Sequence, residues 1–200
     1  MSGYSNFVTD FPKRCDDVLE KFCRPAQARN REVTLMLATA TAGFVVPFER
    51  LRPGRDHPAR DRQSYEAAAE KLDAVLGSAF IDSALWGETV GSWVFAKEVQ
   101  DEQRELDFWP ELLSPKPLSR KKQAGSVLAH LRNALAHGNI FTRGNPIDLL
   151  VFLTKPHETA KNYSMLAVAP VDFYRFVRNW FALLASIRMP GGVFEGHLVA

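Results

Sequence analysis

The stretch "LAHLRNALAHGNIF", residues 128–141, reads as an alanine- and leucine-rich helix running into a glycine, yet it carries His130, Arg132, Asn133 and His137. On a wheel at about 100° per residue, Ser126, His130, Asn133 and His137 fall at i, i+4, i+7 and i+11 and share one side. Arg132 lies at the margin of that side, with Ala129 and Ala136 between. The other side gathers Ala124, Val127, Leu128, Leu131 and Leu135, the stripe a helix buries. A solvated face is normally filled with lysine, glutamate, glutamine and arginine; these turns hold no acid and no lysine. Imidazole is the natural acid/base near neutral pH. A guanidinium, always charged and forked, is the natural partner of a phosphate.

A plainer reading stands beside this one. His137 can cap the helix C-terminus, where a cation is favoured by about 0.3–1 kcal/mol, and Arg132 can be an ordinary surface residue. Spacing alone does not choose between the two.

Other groupings offer less. Ser126 and His130 are one turn apart, but no acid or oxyanion-hole motif accompanies them. Asp101, Glu102 and Glu105 stand at helical spacing as surface carboxylates do, and His57 and His157 sit beside prolines. Gly191 and Gly192 lack the context of a phosphate-binding loop. Cys15 and Cys23, the two cysteines, have no second pair to complete a zinc site. They read as buried or bystander thiols in a reducing compartment. No metal or other cofactor is expected.

Elements must position the polar stripe. The pattern predicts a helix over 10–23, with Phe7, Phe11, Val18, Leu19 and Phe22 as its apolar side and Pro25 ending it. A long apolar helix over 29–51 follows, with Pro47 bending or tightening its last turn. After the loop "RPGRDHPAR" a third helix opens near Ser64 as N-cap, with Tyr65, Ala69, Leu72, Val75 and Leu76 at helical spacing. Residues 81–117, rich in tryptophan, read as short helices and irregular turns. The motif helix runs over 118–137, with Gly138 as its C-terminal stop. Then "NIFT", "IDLLVFLT" and "YSMLAVAP" read as short strands, the first two joined by the turn "RGNP". A last helix, "VDFYRFVRNWFALLASI", carries the stripe Phe173, Phe176, Val177, Trp180 and Leu184.

Composition bounds the rest. With 200 residues, 46% hydrophobic and 24% charged, the chain suits one globular domain and excludes disordered and disulfide-stapled classes. A net charge of +2 permits a nucleic-acid partner without demanding one. Basic residues cluster at 50–62 and 119–122, as solvated loops often do. The apolar run Val33–Phe48 is short of the roughly 20 residues of a membrane helix and is broken by threonines, Gly43 and Pro47. No membrane partner is expected, and the start lacks the apolar core of a signal peptide, so the expected location is the cytoplasm.

"LRNALAHGNIF" resembles the signature of the HEPN superfamily of helical, nucleic-acid-associated domains: an arginine, usually then a polar residue, and a histidine after four to six intervening residues. Arg132, Asn133 and His137 match it residue by residue, and His130 has no counterpart. The strand pair and C-terminal helix after "AHGN" resemble the branch with a β-hairpin insertion, and "REVTLMLATATAGFVVPFERLR" resembles that branch's long first core helix. The resemblance implies a mainly α fold over 1–200, a HEPN-like bundle with a small antiparallel hairpin or sheet between the motif helix and the C-terminal helix. It implies a homodimer in which two motifs meet and cleave RNA without metal through the ribose 2′-OH. His137 would be the general acid/base, Arg132 would orient or neutralise the phosphate, and Asn133 would hold the histidine or a phosphate oxygen. His130 and Ser126 would line the site. It further implies a toxin or defence effector controlled by an antitoxin protein. The alternative is a non-catalytic HEPN module that binds RNA, a nucleotide or a partner protein.

Overall fold

The computed structural model describes residues 7–51, 62–83, 85, 93–100, 116–157 and 159–187. Trp86, Trp109, Gly87, Gly91, His57, the carboxylates at 101–105 and the glycines at 191–192 lie outside them.

Helix α1 (Phe7–Gln27) is longer than its pattern suggests, and Pro25 sits inside its last turn instead of ending it. A proline there forfeits one donor, while Ala28 N–H still reaches Arg24 O at 3.0 Å. Its buried face is also different: Cys15 and Leu19 are inside with Phe11 partly covered, whereas Val18 and Phe22 are exposed. Two apolar stripes compete on this helix, and the one at i, i+4, i+8 meets the core.

Helix α2 (Glu32–Ala40) and α3 (Val46–Arg50) form one rod joined by a π turn, Thr41–Val45. It starts three residues later than expected. It is also the described span long and apolar enough to cross a membrane, and 44% of that window is buried inside the fold, with Val33, Met36, Ala40, Phe44 and Phe48 in the core. Two of the threonines that interrupt it are satisfied locally: Thr39 Oγ1 donates to Leu35 O at 2.9 Å and Thr41 Oγ1 to Leu37 O at 2.8 Å. Pro47 has no N–H for the carbonyl four residues back, Gly43 O. Trp180 Nε1 donates to that carbonyl at 3.0 Å. Phe44 then packs edge-on against Trp180 and Phe176, with centroids 5.0 and 5.6 Å apart.

Helix α4 (Arg62–Gly77) opens two residues before Ser64, which therefore lies in the first turn and is not the cap; Arg62 and Gln63 are good helix formers and extend it. Tyr65, Ala68 and Leu72 are buried along it. A 3₁₀ turn, Phe80–Asp82, follows.

The region 81–117 contains strands where irregular turns and short helices were expected. β1 (Val94–Val99) and β2 (Lys116–Pro117) join β3 (Ile140–Arg143), β4 (Leu149–Thr154) and β5 (Tyr163–Val168) in one antiparallel sheet of order β2-β1-β5-β4-β3. The sheet is thus not confined to the segment between the motif helix and the last helix. β1 pairs Phe95 with Leu166 and Ala96 with Met165, completing a sheet that β4 and β5 begin. On the helix side Leu150, Phe152, Leu166 and Val168 enter the main core; Val151, Leu153, Met165 and Ala167 form a second buried cluster on the other face.

Helix α5 (Ala124–His137) begins six residues later than the pattern suggests. Leu118 instead hydrogen-bonds in strand fashion to Trp93 O at 3.0 Å, and residues 119–122 turn, Lys122 N–H reaching Ser119 O at 2.9 Å. Its predicted core stripe is buried throughout. Gly138, at φ +67°, ends it: Asn139 N–H bonds Ala134 O at 2.9 Å and Gly138 N–H bonds Leu135 O at 3.4 Å. Helix α6 (Pro170–Ser186) buries Phe173, Phe176, Val177, Trp180 and Leu184 as expected, with Phe181 besides.

At Gly43 α1, the α2–α3 rod and α6 meet closely. A Cβ there would lie 2.6 Å from Phe181 Cε1 and 2.9 Å from Cys15 Cβ. Helix propensity alone makes Gly→Ala stabilising by about 1 kcal/mol, but overpacking of a rigid core costs about 1–3 kcal/mol. Gly43→Ala is therefore expected to lower the melting temperature; a rise in calorimetry would refute this account of the junction.

Candidate functional site

The last two turns of α5 carry the arginine, the asparagine and the C-terminal histidine on a rigid element. Arg132 is half-buried and held on two sides. Its Nη1 donates to Asn133 Oδ1 at 2.6 Å, and its Nε lies 2.7 Å from Glu49 Oε1 of α3. The side chains of this ion pair are only 23% and 20% exposed, so water screens it less than a surface pair. A guanidinium has five N–H donors; the Asn133 bond uses one, while the Glu49 contact is an ion pair whose Nε–H is not aligned on the carboxylate. Glu49 is a member of this group that local spacing did not reveal, since it arrives from another helix.

His137 stands one turn beyond Asn133, exposed, and hydrogen-bonds with no described residue. The Asn133 carboxamide oxygen is engaged by Arg132, so here Asn133 steadies the arginine and not the histidine. Ala129 and Ala136, both exposed, leave the outer face of the helix with little side chain around these groups.

Ser126 and His130 are not part of this cluster. Ser126 is exposed, six residues before Arg132 and so about 9 Å away along the axis. His130 is buried and faces the sheet. The wheel grouped it with the polar side, but β4 crosses α5 there and covers it. Its Nε2 is 2.9 Å from Phe152 O and its Nδ1 3.0 Å from Thr154 Oγ1. A carbonyl only accepts, so Nε2 carries the proton and donates to Phe152 O, while the Thr154 hydroxyl donates to Nδ1. Burial pulls the imidazole down from 6.5 to about 4, against the carbonyl bond that raises it, with the Lys122 charge adding to the fall. His130 is therefore a neutral, doubly bonded histidine in the core wall.

Among the described residues no group of three His, Cys, Asp or Glu side chains converges as a metal site. Cys15 is buried, and desolvation, aided by the neighbouring Asp16 charge, pushes its thiol up to about 11. It is therefore a poor nucleophile.

A family model described as HEPN pEK499 p136 matches residues 1–190. No curated protein and no solved structure matches the chain.

The His130 geometry carries a pH signature. Below pH 6.5 the unfolded chain takes up a proton at this residue, while the folded chain stays neutral down to about 4. The contribution is fully present above 6.5 and lost as pH falls, by about 2 kcal/mol at pH 5. Urea unfolding at pH 7 and pH 5 is expected to show wild type losing about that much more than His130→Gln, which begins less stable. Equal losses in both proteins would mean that His130 titrates normally.

Proposed function

The chain belongs to the HEPN family described as HEPN pEK499 p136, and from that premise we propose that it is a metal-independent endoribonuclease acting as a homodimer. In this reading two copies of the Arg132–Asn133–His137 group face each other, and an RNA strand lies between them. The ribose 2′-OH attacks the adjacent phosphorus as one His137 accepts its proton. The P–O5′ bond breaks, and the departing oxygen takes a proton from the second His137. The products are a 2′,3′-cyclic phosphate and a free 5′-OH. Arg132 meets the negative charge on the phosphate oxygens, where a preoriented cation is worth most.

The observation that supports this best is the placement of the guanidinium. Arg132 is hydrogen-bonded by Asn133 and paired with Glu49, and an exposed imidazole stands on the same helix end. The exposed alanines on either side leave room for a second copy to approach. As the family resemblance implies, such an enzyme would serve in the cytoplasm as a toxin or defence effector under the control of an antitoxin protein.

One contact favours the alternative, a non-catalytic module that binds RNA, a nucleotide or a partner protein. Glu49 already neutralises one edge of Arg132, which weakens its pull on a phosphate.

Incubation of a mixed RNA substrate with the purified protein in excess EDTA separates the two readings. Wild type is expected to leave 2′,3′-cyclic phosphate ends, and folded, dimeric His137→Ala and Arg132→Ala variants to cut about 10²–10⁴-fold more slowly. His137→Ala is the cleaner of the two, since that side chain is exposed. If wild type cuts nothing, or the variants cut equally well, the catalytic reading falls and the binding module replaces it.

A further inference from the structure

Past the N-terminal half of α5 the helix side of the sheet changes character. Under the helices its positions are apolar: Leu150, Phe152, Leu166 and Val168. One step further along β4 and β5 the same face presents Thr154 and its cross-strand partner Ser164, and Lys97 borders them where the register of β1 on β5 shifts. A cleft of about 550 Å³ opens there, with His130 in its wall and Lys122 and Lys161 at its sides.

Three features of this cleft point to one ligand chemistry. Its cations come from three separate segments, Lys97 on β1, Lys122 before α5 and Lys161 before β5, and no carboxylate stands among its described lining residues. None of the three lysines pairs with a described acid. Burial, and then repulsion from Lys97, lowers the Lys122 ammonium from its ordinary value, so among the described side chains positive charge is gathered here. The aromatic faces are not free for stacking: Lys122 Nζ lies 4.2 Å over the Phe95 ring, and Tyr163 is buried. A ligand read here is read by charge and not by its base.

We infer that this lysine-lined cleft is a phosphate-binding site, separate from the Arg132–His137 group, that takes the phosphates of an RNA strand or of a nucleotide without regard to base. Convergent ammonium groups suit phosphate oxygens, whether of successive singly charged diesters along an RNA strand or of a nucleotide's terminal phosphate, and meet them as point charges rather than as a bidentate fork. The neutral His130, held by Thr154 and Phe152, gives the cleft a rigid wall that adds no charge of its own. Catalysis is not required for this: the cleft binds phosphate whether or not the protein cuts RNA.

The test uses the full chain and a fluorescein-labelled 2′-O-methyl RNA 12-mer, which lacks the internal nucleophile and stays intact. Anisotropy is read from 50 to 200 mM salt for wild type and for Lys97→Gln/Lys161→Gln, both exposed positions. Lys97→Arg/Lys161→Arg keeps the charge, and Lys13→Gln/Lys21→Gln removes two exposed charges from α1 as a control. Calorimetric titrations with 5′-AMP and with inorganic phosphate run alongside.

Loss of the two cleft lysines is expected to weaken RNA binding about tenfold and to lower the salt slope by about 1.4, two single-strand phosphate contacts. The arginine and α1 variants should bind as wild type does. If the small phosphates bind in a lysine-dependent way and the RNA does not, the site stands with a nucleotide as its source. If none of the three probes binds, if binding ignores Lys97 and Lys161, or if the α1 pair lowers it as much as the cleft pair does, the cleft is not a phosphate site.

Discussion

A proline inside a helix leaves the carbonyl four residues back without its usual donor, and here that carbonyl belongs to Gly43. The indole of Trp180 supplies the missing N–H, which adds a buried hydrogen bond to the aromatic packing of α6 on the long core rod. The glycine at the same place lets Phe181 and the Cys15 region of α1 approach to distances that no side chain would allow. The π turn that spans Gly43 inserts slack into the rod and rotates the residues beyond it relative to an uninterrupted helix. Glu49 comes after that turn, and it reaches Arg132. The residue that pairs with the guanidinium of α5 is thus carried on the far side of a turn set in the hydrophobic core.

Much of this architecture is written in local pattern. The buried stripe of α5, the strands β3 to β5 and the aromatic face of α6 repeat at the periods of their elements, and each repeat lies within a few turns or residues. Gly138 was legible because an αL residue at a helix end calls for glycine, whatever surrounds it. Where two local patterns compete, sequence has no means of ranking them. On α1 the stripe through Cys15 and Leu19 wins over the one through Val18 and Phe22 only because the rod and α6 lie on that side. The start of α5 departs from its pattern for a related reason: "LSRKK" has fair helix propensity, but the strand-like bond of Leu118 to Trp93 and the turn at Ser119 override it.

The candidate chemistry was legible to the same depth. Arg132, Asn133 and His137 share a short stretch, so one helix displays them together. Glu49 could not be read from the motif, being 83 positions upstream of Arg132 with nothing between to announce the pairing. His130 was grouped with the polar side correctly as to angle, yet the angle says nothing of which element crosses the helix there. β4 does, and it turns a polar position into a core one. Lys97, Lys122 and Lys161 share no spacing rule at all; only the folded sheet assembles them.

The antiparallel pairing of β1 with β5 has a further consequence, for the order in which parts of the molecule are secured. β3, β4 and β5 follow α5 by short connections, so the helix end that bears Arg132 and His137 is stabilised by neighbours close in sequence. Phe95 and Leu166 pair across about seventy residues, a closure that costs more chain entropy and is slower to form. Among the described residues, β1 is flanked on its outer side by the two-residue β2. Local opening at this margin dissolves the lysine-lined wall and leaves the helix end intact. Hydrogen exchange along β1 should accordingly outpace that along α5, and a phosphate seated between Lys97 and Lys122 would slow it, acting as a clasp on the last strand to arrive.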